Sequence, residues 1–135
     1  MKIWRSFGSE HSSNIVMIGS FKTEEDAAKI EQLFQELHDL ANEEHAAGQL
    51  NDDWSNTKYS DRMLKFMSDK NIGDLGYNDA AIFLYEYRLH RDGDRLVLTT
   101  EEGELSAFVK LMLKGGAKIE LYSAHDYPGK YGRGR

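Results

Sequence analysis

Asn14-Ile15-Val16-Met17-Ile18-Gly19-Ser20-Phe21 is the most continuously apolar run in the first half of the chain, and Lys22-Thr23-Glu24-Glu25-Asp26 follows at once. The first stretch reads as a short buried strand, apolar on both faces, of the kind that suits the middle of a sheet. The second reads as a helix start. Thr23 can cap it, and three acidic residues sit where the helix dipole favours negative charge. Ala27, Ile30, Phe34, Leu37 and Ala41 then step by three and four, with Leu33 and Leu40 widening the stripe. Lys29, Glu31, Gln35, Glu36 and Asn42 fall on the other face. Gly48 is a natural stop, which gives a helix about 35 Å long.

Upstream, Ile3, Trp4 and Phe7 suggest another strand, and Gly8-Ser9-Glu10-His11-Ser12-Ser13 links it to the central one. That linker is longer than a two-residue hairpin turn, so direct pairing of the two strands is plausible without being required. Downstream, residues 49–60 are polar and turn-rich, with Asp52, Asp53, Trp54 and Tyr59. Ser60 can cap a second, shorter helix carrying Met63, Leu64 and Met67, and residues 71–79, with Gly73 and Gly76, read as a loop. About 30 residues thus separate the long helix from the next strand, an insertion long enough to act as a lid.

Residues 80–90 alternate, with Ile82 and Leu84 on one side and Phe83, Tyr85, Tyr87 and Leu89 on the other. Arg91-Asp92-Gly93-Asp94 then signals a hairpin, with residues 96–100 returning. Glu101 and Glu102 open a third helix with Leu105, Phe108, Val109 and Met112 inward, ended by Gly115-Gly116. Residues 118–123 alternate again, Ile119 and Leu121 inward and Lys118, Glu120 and Tyr122 outward, as an edge strand would.

The order is strand, helix, insertion, strand, strand, helix, strand. It predicts an α+β fold: a ferredoxin-like split β-α-β sandwich with an extra N-terminal strand and a helical insertion before the second core strand. Residues 15–18 and 96–100 then lie centrally. The extra strand is the misfit. As a hairpin partner of residues 15–18 it competes with the last strand for the same edge, so it sits elsewhere or the sheet order differs.

With 135 residues, the chain is read as one domain over 1–126 and a flexible basic tail over 127–135. A formal charge of −6 argues against a general nucleic-acid surface, because phosphate binding depends on Lys and Arg displacing counterions. Lys130, Arg133 and Arg135 confine that option to the tail. There is no cysteine, which excludes disulfides, thiolate nucleophiles and Cys-held metals. Neither an N-terminal apolar signal core nor a membrane-length apolar run is present, so a cytoplasmic protein is expected.

Chemistry-bearing residues are few. His11 beside Glu10 offers a base and a carboxylate, with Arg5 and the hydroxyls of Ser12 and Ser13 nearby. The same loop also reads as a solvated Ser/Gly turn. In a ferredoxin-like sheet His125, after the last strand, comes near residues 12–14, so Arg5, Glu10, His11 and His125 share one end. Trp54 and Tyr59 either plug the insertion onto the core or line a ligand surface. His38 and His45 lie seven apart, which is no standard metal spacing, and read as a solvated face. Asp52, Asp53 and Asp61 do not fit a calcium loop, and neither phosphate-binding glycine motifs nor a G-x-S-x-G elbow occurs. No metal or cofactor is expected.

The leading expectation is a small binding or interaction module for a small molecule or a protein, dimerising through its sheet. A hydrolase or nuclease-like enzyme with His11 as general base, helped by Glu10 or His125, is the competing reading. A third is nucleic-acid contact through the tail.

Overall fold

Ile15–Ser20 forms strand β2, hydrogen-bonded on both sides in the middle of a sheet, as its two-sided apolar pattern requires. The computed structural model describes residues 2–3, 15–50, 59–100 and 105–123. Lys2–Ile3 (β1) is followed by β2, then helix α1 (Glu24–Ala46), helix α2 (Asp61–Asp69) and the short helix α3 (Tyr77–Ala81). A 3-10 turn (Ile82–Leu84), strands β3 (Tyr87–Asp92) and β4 (Arg95–Thr100), helix α4 (Ser106–Lys114) and strand β5 (Lys118–Ser123) complete it. The fold is mixed α+β, with four antiparallel strands in the order β5-β2-β4-β3 and β1 parallel to β5 on its outer side.

The N-terminal strand conflict resolves in that order. Lys2 and Ile3 pair with Glu120 and Leu121, so β1 extends the sheet beyond β5 and leaves β2 to β5 and β4. β5 is therefore flanked on both sides rather than being a bare edge. Residues 4–7 lie outside the described residues.

Register puts Leu121, Met17, Leu98 and Leu89 in one row across the helix-covered face, and Ser123, Ile15, Thr100 and Tyr87 in the next. α1 lays its expected stripe on this face: Ala27, Ile30, Leu33, Phe34, Leu37, Leu40 and Ala41 are all buried. Thr23 caps the helix, its hydroxyl accepting the Asp26 N–H at 3.1 Å. On the opposite face Val16, Ile18 and Val97 form a small cluster with Tyr122. They are only 0–2% exposed within one chain, so the premise for a dimer, an uncovered apolar sheet face, does not hold for these residues.

The strand expected over 80–90 is corrected. Ala80, Ala81, Ile82 and Phe83 are buried one after another, which a strand with one covered face cannot do. They form α3 and the 3-10 turn, wedged between α1 and α4, and the strand begins only at Tyr87. Phe83 still enters the core, stacking its edge on Phe34 and Phe108 at centroid distances of 5.7 and 5.3 Å. Burying each such ring contributes roughly 1.5–3 kcal/mol. The hairpin β3–β4 turns on Gly93 and Asp94, one residue later than the Asp-Gly pair suggests. Gly93 takes φ +64° at the first loop position, where a type II′ turn accepts glycine.

The start of α2 is tied back to α1. Ser60 caps α2, accepting the Met63 N–H at 3.1 Å, and its hydroxyl also donates to the carboxylate of buried Glu44 on α1. Met63 and Met67 then enter the same core as the sheet.

Candidate functional site

One candidate lies where α1 crosses the β3 edge of the described sheet. Glu31, Phe34, Gln35 and His38 recur at helical spacing on α1, and Tyr87 and Leu89 project from one side of β3. Together these six residues line a cleft of about 210 Å³. Buried aromatic rings lie behind it. Tyr87 lies 6.4 Å from Phe34, 5.8 Å from Phe83 and 5.2 Å from Phe108 between ring centroids. Arg91 on β3 donates to Glu31 on α1 at 3.2 Å and ties the two sides together.

His38 lines the helix side with Glu31 and Gln35. Its ring meets Tyr87 edge to face, and its Nδ1 is buried without a hydrogen-bond partner. Asn42 Nδ2 donates to the His38 carbonyl at 2.9 Å, which fixes the orientation of the amide, and the same nitrogen lies 3.5 Å from His38 Nε2. A buried ring nitrogen left without a partner costs about 1–3 kcal/mol. Burial, with the Asp39 charge behind it, pushes the Tyr87 phenol well above its ordinary value, so Tyr87 stays a neutral hydroxyl. Asp39 itself accepts from Gln35 at 2.9 Å.

A second cluster sits between the insertion and α4. The Asp79 carboxylate accepts from Ser106 Oγ at 2.6 Å, Lys110 Nζ at 2.7 Å and Gly76 N at 2.8 Å. Burial works to raise this carboxyl, but the Lys110 ammonium, the Ser106 hydroxyl and the Gly76 N–H outweigh it and hold it below the ordinary value. Lys110 is held above its own by Asp79 and also donates to the Asp74 carbonyl at 3.1 Å. Both Asp79 carboxylate oxygens accept, so the cluster joins α3 to α4 as a clasp.

Of the residues singled out in the sequence, Arg5, Glu10, His11, Ser12, Ser13, Trp54 and His125 lie outside the described residues, as does the 127–135 tail. Tyr59 is described. It packs against the core, and its hydroxyl donates to the carbonyls of Leu75, at 3.2 Å, and Gly76. It also borders a surface groove with Leu64, Met67 and Leu75. Tyr59 therefore ties the start of α2 to the segment before α3. His38 and His45 do not form a solvated face: His38 is half-buried against Tyr87, and exposed His45 donates from Nδ1 to the Leu50 carbonyl at 2.8 Å. Among the described residues no group of three or more His, Asp or Glu is placed to hold a metal ion, and no helix is long and apolar enough to cross a membrane.

In the sequence Phe34 read as part of the α1 stripe, whereas Glu31 and Gln35 read as its other face and His38 as solvated. What the sequence lacked was the strand they would face, because Tyr87 read as one of several alternating aromatics. The clasp had no signal, since Asp79 and Ser106 are 27 residues apart.

These features define a small α+β protein with its helices on one face of an antiparallel sheet and a narrow aromatic cleft at the sheet edge. The chain belongs to the family of unknown function DUF6375, whose model matches residues 1–133. No curated protein and no solved structure matches it.

Proposed function

We propose that the chain is a small-ligand-binding module that works through the cleft between α1 and β3. The observation that carries this reading is the cleft itself, where Glu31, Gln35 and His38 of α1 face Tyr87 and Leu89 of β3. Concave sites that combine apolar surface with a few polar groups are where small molecules bind. The reading includes a ferredoxin-like framework with an extra N-terminal strand and a helical insertion. Its support is the order of the antiparallel strands, fourth-first-third-second when β1 is set aside, with both crossover helices on one face. A sheet-mediated homodimer is not part of it, because Val16, Ile18 and Val97 are already covered within one chain.

The test is a fragment screen followed by amide and aromatic NMR signals. Hits that shift residues 31–38 and 87–89 together support the site. Leu89→Trp, which fills the cleft from the strand side, should abolish those shifts while the remaining spectrum stays folded. A screen whose hits all map elsewhere, or that yields none, removes the proposal.

A further inference from the structure

We propose that the outer edge of β3 takes an extended peptide as an added antiparallel strand, with one apolar side chain in the α1–β3 cleft and a neighbouring carboxylate on Arg88. This goes beyond the small-ligand reading, because the main chain of β3 makes most of the contacts and the cleft receives a single side chain.

The edge follows from register. Among the described residues β3 pairs with β4 alone and is the last strand on its side of the sheet. The two-residue turn at Gly93 and Asp94 makes Asp92 and Arg95 a hydrogen-bonded pair. The alternation of an antiparallel ladder then turns the main-chain N–H and C=O of Arg88 and His90 toward β4 as well. Those of Tyr87, Leu89 and Arg91 point away from it, and the described sheet has no further strand to receive them. Such a row of donors and acceptors is a template for one more strand, and antiparallel pairing is the stronger of the two arrangements.

The cleft lies where that strand would send its side chains. Leu89 shares a row with Leu98, and Tyr87 with Thr100, on the helix-covered face. A residue paired with Leu89 points to the same side, where partly exposed Tyr87 and Leu89 face Glu31 and Gln35 of α1 across the cleft. At about 210 Å³ the cleft is smaller than the roughly 300–1,000 Å³ of pockets that hold whole drug-sized ligands, and it suits one aliphatic side chain.

The charge of the partner follows from the other face. Arg88 and His90 are exposed there, and across the ladder Arg88 meets uncharged Thr99 and His90 meets Val97. Arg91 projects to the helix side, where Glu31 holds it. A carboxylate on the added strand opposite Arg88 makes an opposite-charge cross-strand pair, the kind that favours one partner over another. A second copy of β3 is the poorer occupant, since it brings two arginines and one aspartate to an edge that already carries the same surplus.

The probe is the capped peptide Ac-Ser-Thr-Thr-Leu-Glu-Val-Ser-NH2, titrated into the intact chain and followed by NMR. Running antiparallel with its leucine opposite Leu89, it sets its glutamate opposite Arg88. The amides of Tyr87, Leu89 and Arg91 should shift and exchange more slowly with solvent, and Glu31 and Gln35 should shift with them. N-methylation of the peptide's leucine removes the donor to the Leu89 carbonyl and should weaken binding about tenfold. Replacing the peptide's glutamate by lysine should weaken it about fivefold, and Arg88→Glu should reverse that preference. No shift at residues 87, 89 and 91, or binding indifferent to N-methylation, overturns the added strand. Equal binding of the two peptides to the parent and to Arg88→Glu overturns the acidic partner. Slowed exchange at the same amides that rises with protein concentration, without peptide, assigns the edge to a second copy and overturns the proposal. Fragments that occupy the cleft while the peptide fails sink the added strand alone, whereas peptide binding without fragment hits supports it and sinks the small-ligand reading.

Discussion

The rings of His38 and Tyr87 meet edge to face, with centroids 5.8 Å apart and planes 84° apart. One comes from α1 and the other from β3, so the pair pins the long helix to the free edge of the sheet. Around Tyr87 this contact joins Phe34, Phe83 and Phe108 into one cluster. Tyr87→Ala should therefore cost about 3 kcal/mol in urea unfolding, near the lower end for a large aromatic lost from a core. Tyr87→Phe keeps the ring contacts and should stay within about 0.5 kcal/mol of the parent. A large loss in Tyr87→Phe would mean that the hydroxyl, not the ring, holds the edge strand.

Two groups predict the alkaline limb of stability. The Tyr87 phenol and the Lys110 ammonium both titrate above their ordinary values in the folded chain. Each contribution is fully present below the unfolded value, about 10 for either group, and is lost as pH rises through the higher folded value. Urea midpoints should hold to about pH 10 and then fall. Tyr87→Phe should flatten that fall, which is checked by repeating the midpoints between pH 9 and about 11.

The Asp79 clasp sets the acid limb. Its carboxyl is held below the ordinary value, so its contribution is present above about pH 4 and is lost as pH falls through the folded value. Asp79→Asn should remove this dependence. At neutral pH it should cost about 2 kcal/mol, as expected when charge-assisted bonds to Ser106 and Lys110 are weakened. Amide hydrogen exchange should quicken over residues 59–84 more than in α1, because the clasp holds the insertion. Uniform quickening would contradict a local role.

Ser123 is the buried polar group that the sheet does not serve. It is 2% exposed, its Oγ has no hydrogen-bond partner, and it shares a row with Ile15 and Thr100. Thr100 differs in donating to the Glu86 carbonyl at 3.2 Å. Ser123→Ala removes an unsatisfied hydroxyl and should stabilise by about 1 kcal/mol, raising the melting temperature by a few degrees. A destabilised Ser123→Ala would show that the hydroxyl has a partner.

Gly115, which ends α4, sits close against Ile30 of α1. A β-carbon there would overlap Ile30 Cγ1 and lie 2.7 Å from Phe21 Cε2. Gly115→Ala should cost about 1–3 kcal/mol through overpacking. Ile30→Val removes part of the obstruction, so the double variant should lose less than the sum of the singles. Strict additivity would place the strain elsewhere.

Local signals in the chain settled much of this architecture. The Thr23 cap, the acidic first turn and the three-four spacing define α1 because a helix is built from contacts within a few residues. The two-sided apolar run 15–18 placed a strand centrally because only a strand flanked on both faces and both edges can bury such a run. The same local reasoning failed at 80–83, where apolar residues fit either period and packing between α1 and α4 selected helix and 3-10 turn. Lys2–Ile3 found its partner in β5 only because the β2 edges were already taken, a competition that no single segment encodes. The cleft belongs to the same kind of decision. Phe34 read as stripe and Glu31 and Gln35 as the other face, and their meeting with Tyr87 and Leu89 depends on β3 ending up beside α1 at the edge of the sheet. Residues distant along the chain become neighbours through the burial of the whole core, so the clasp of Asp79 with Ser106 and Lys110 and the orphaned His38 Nδ1 were decided by tertiary structure alone.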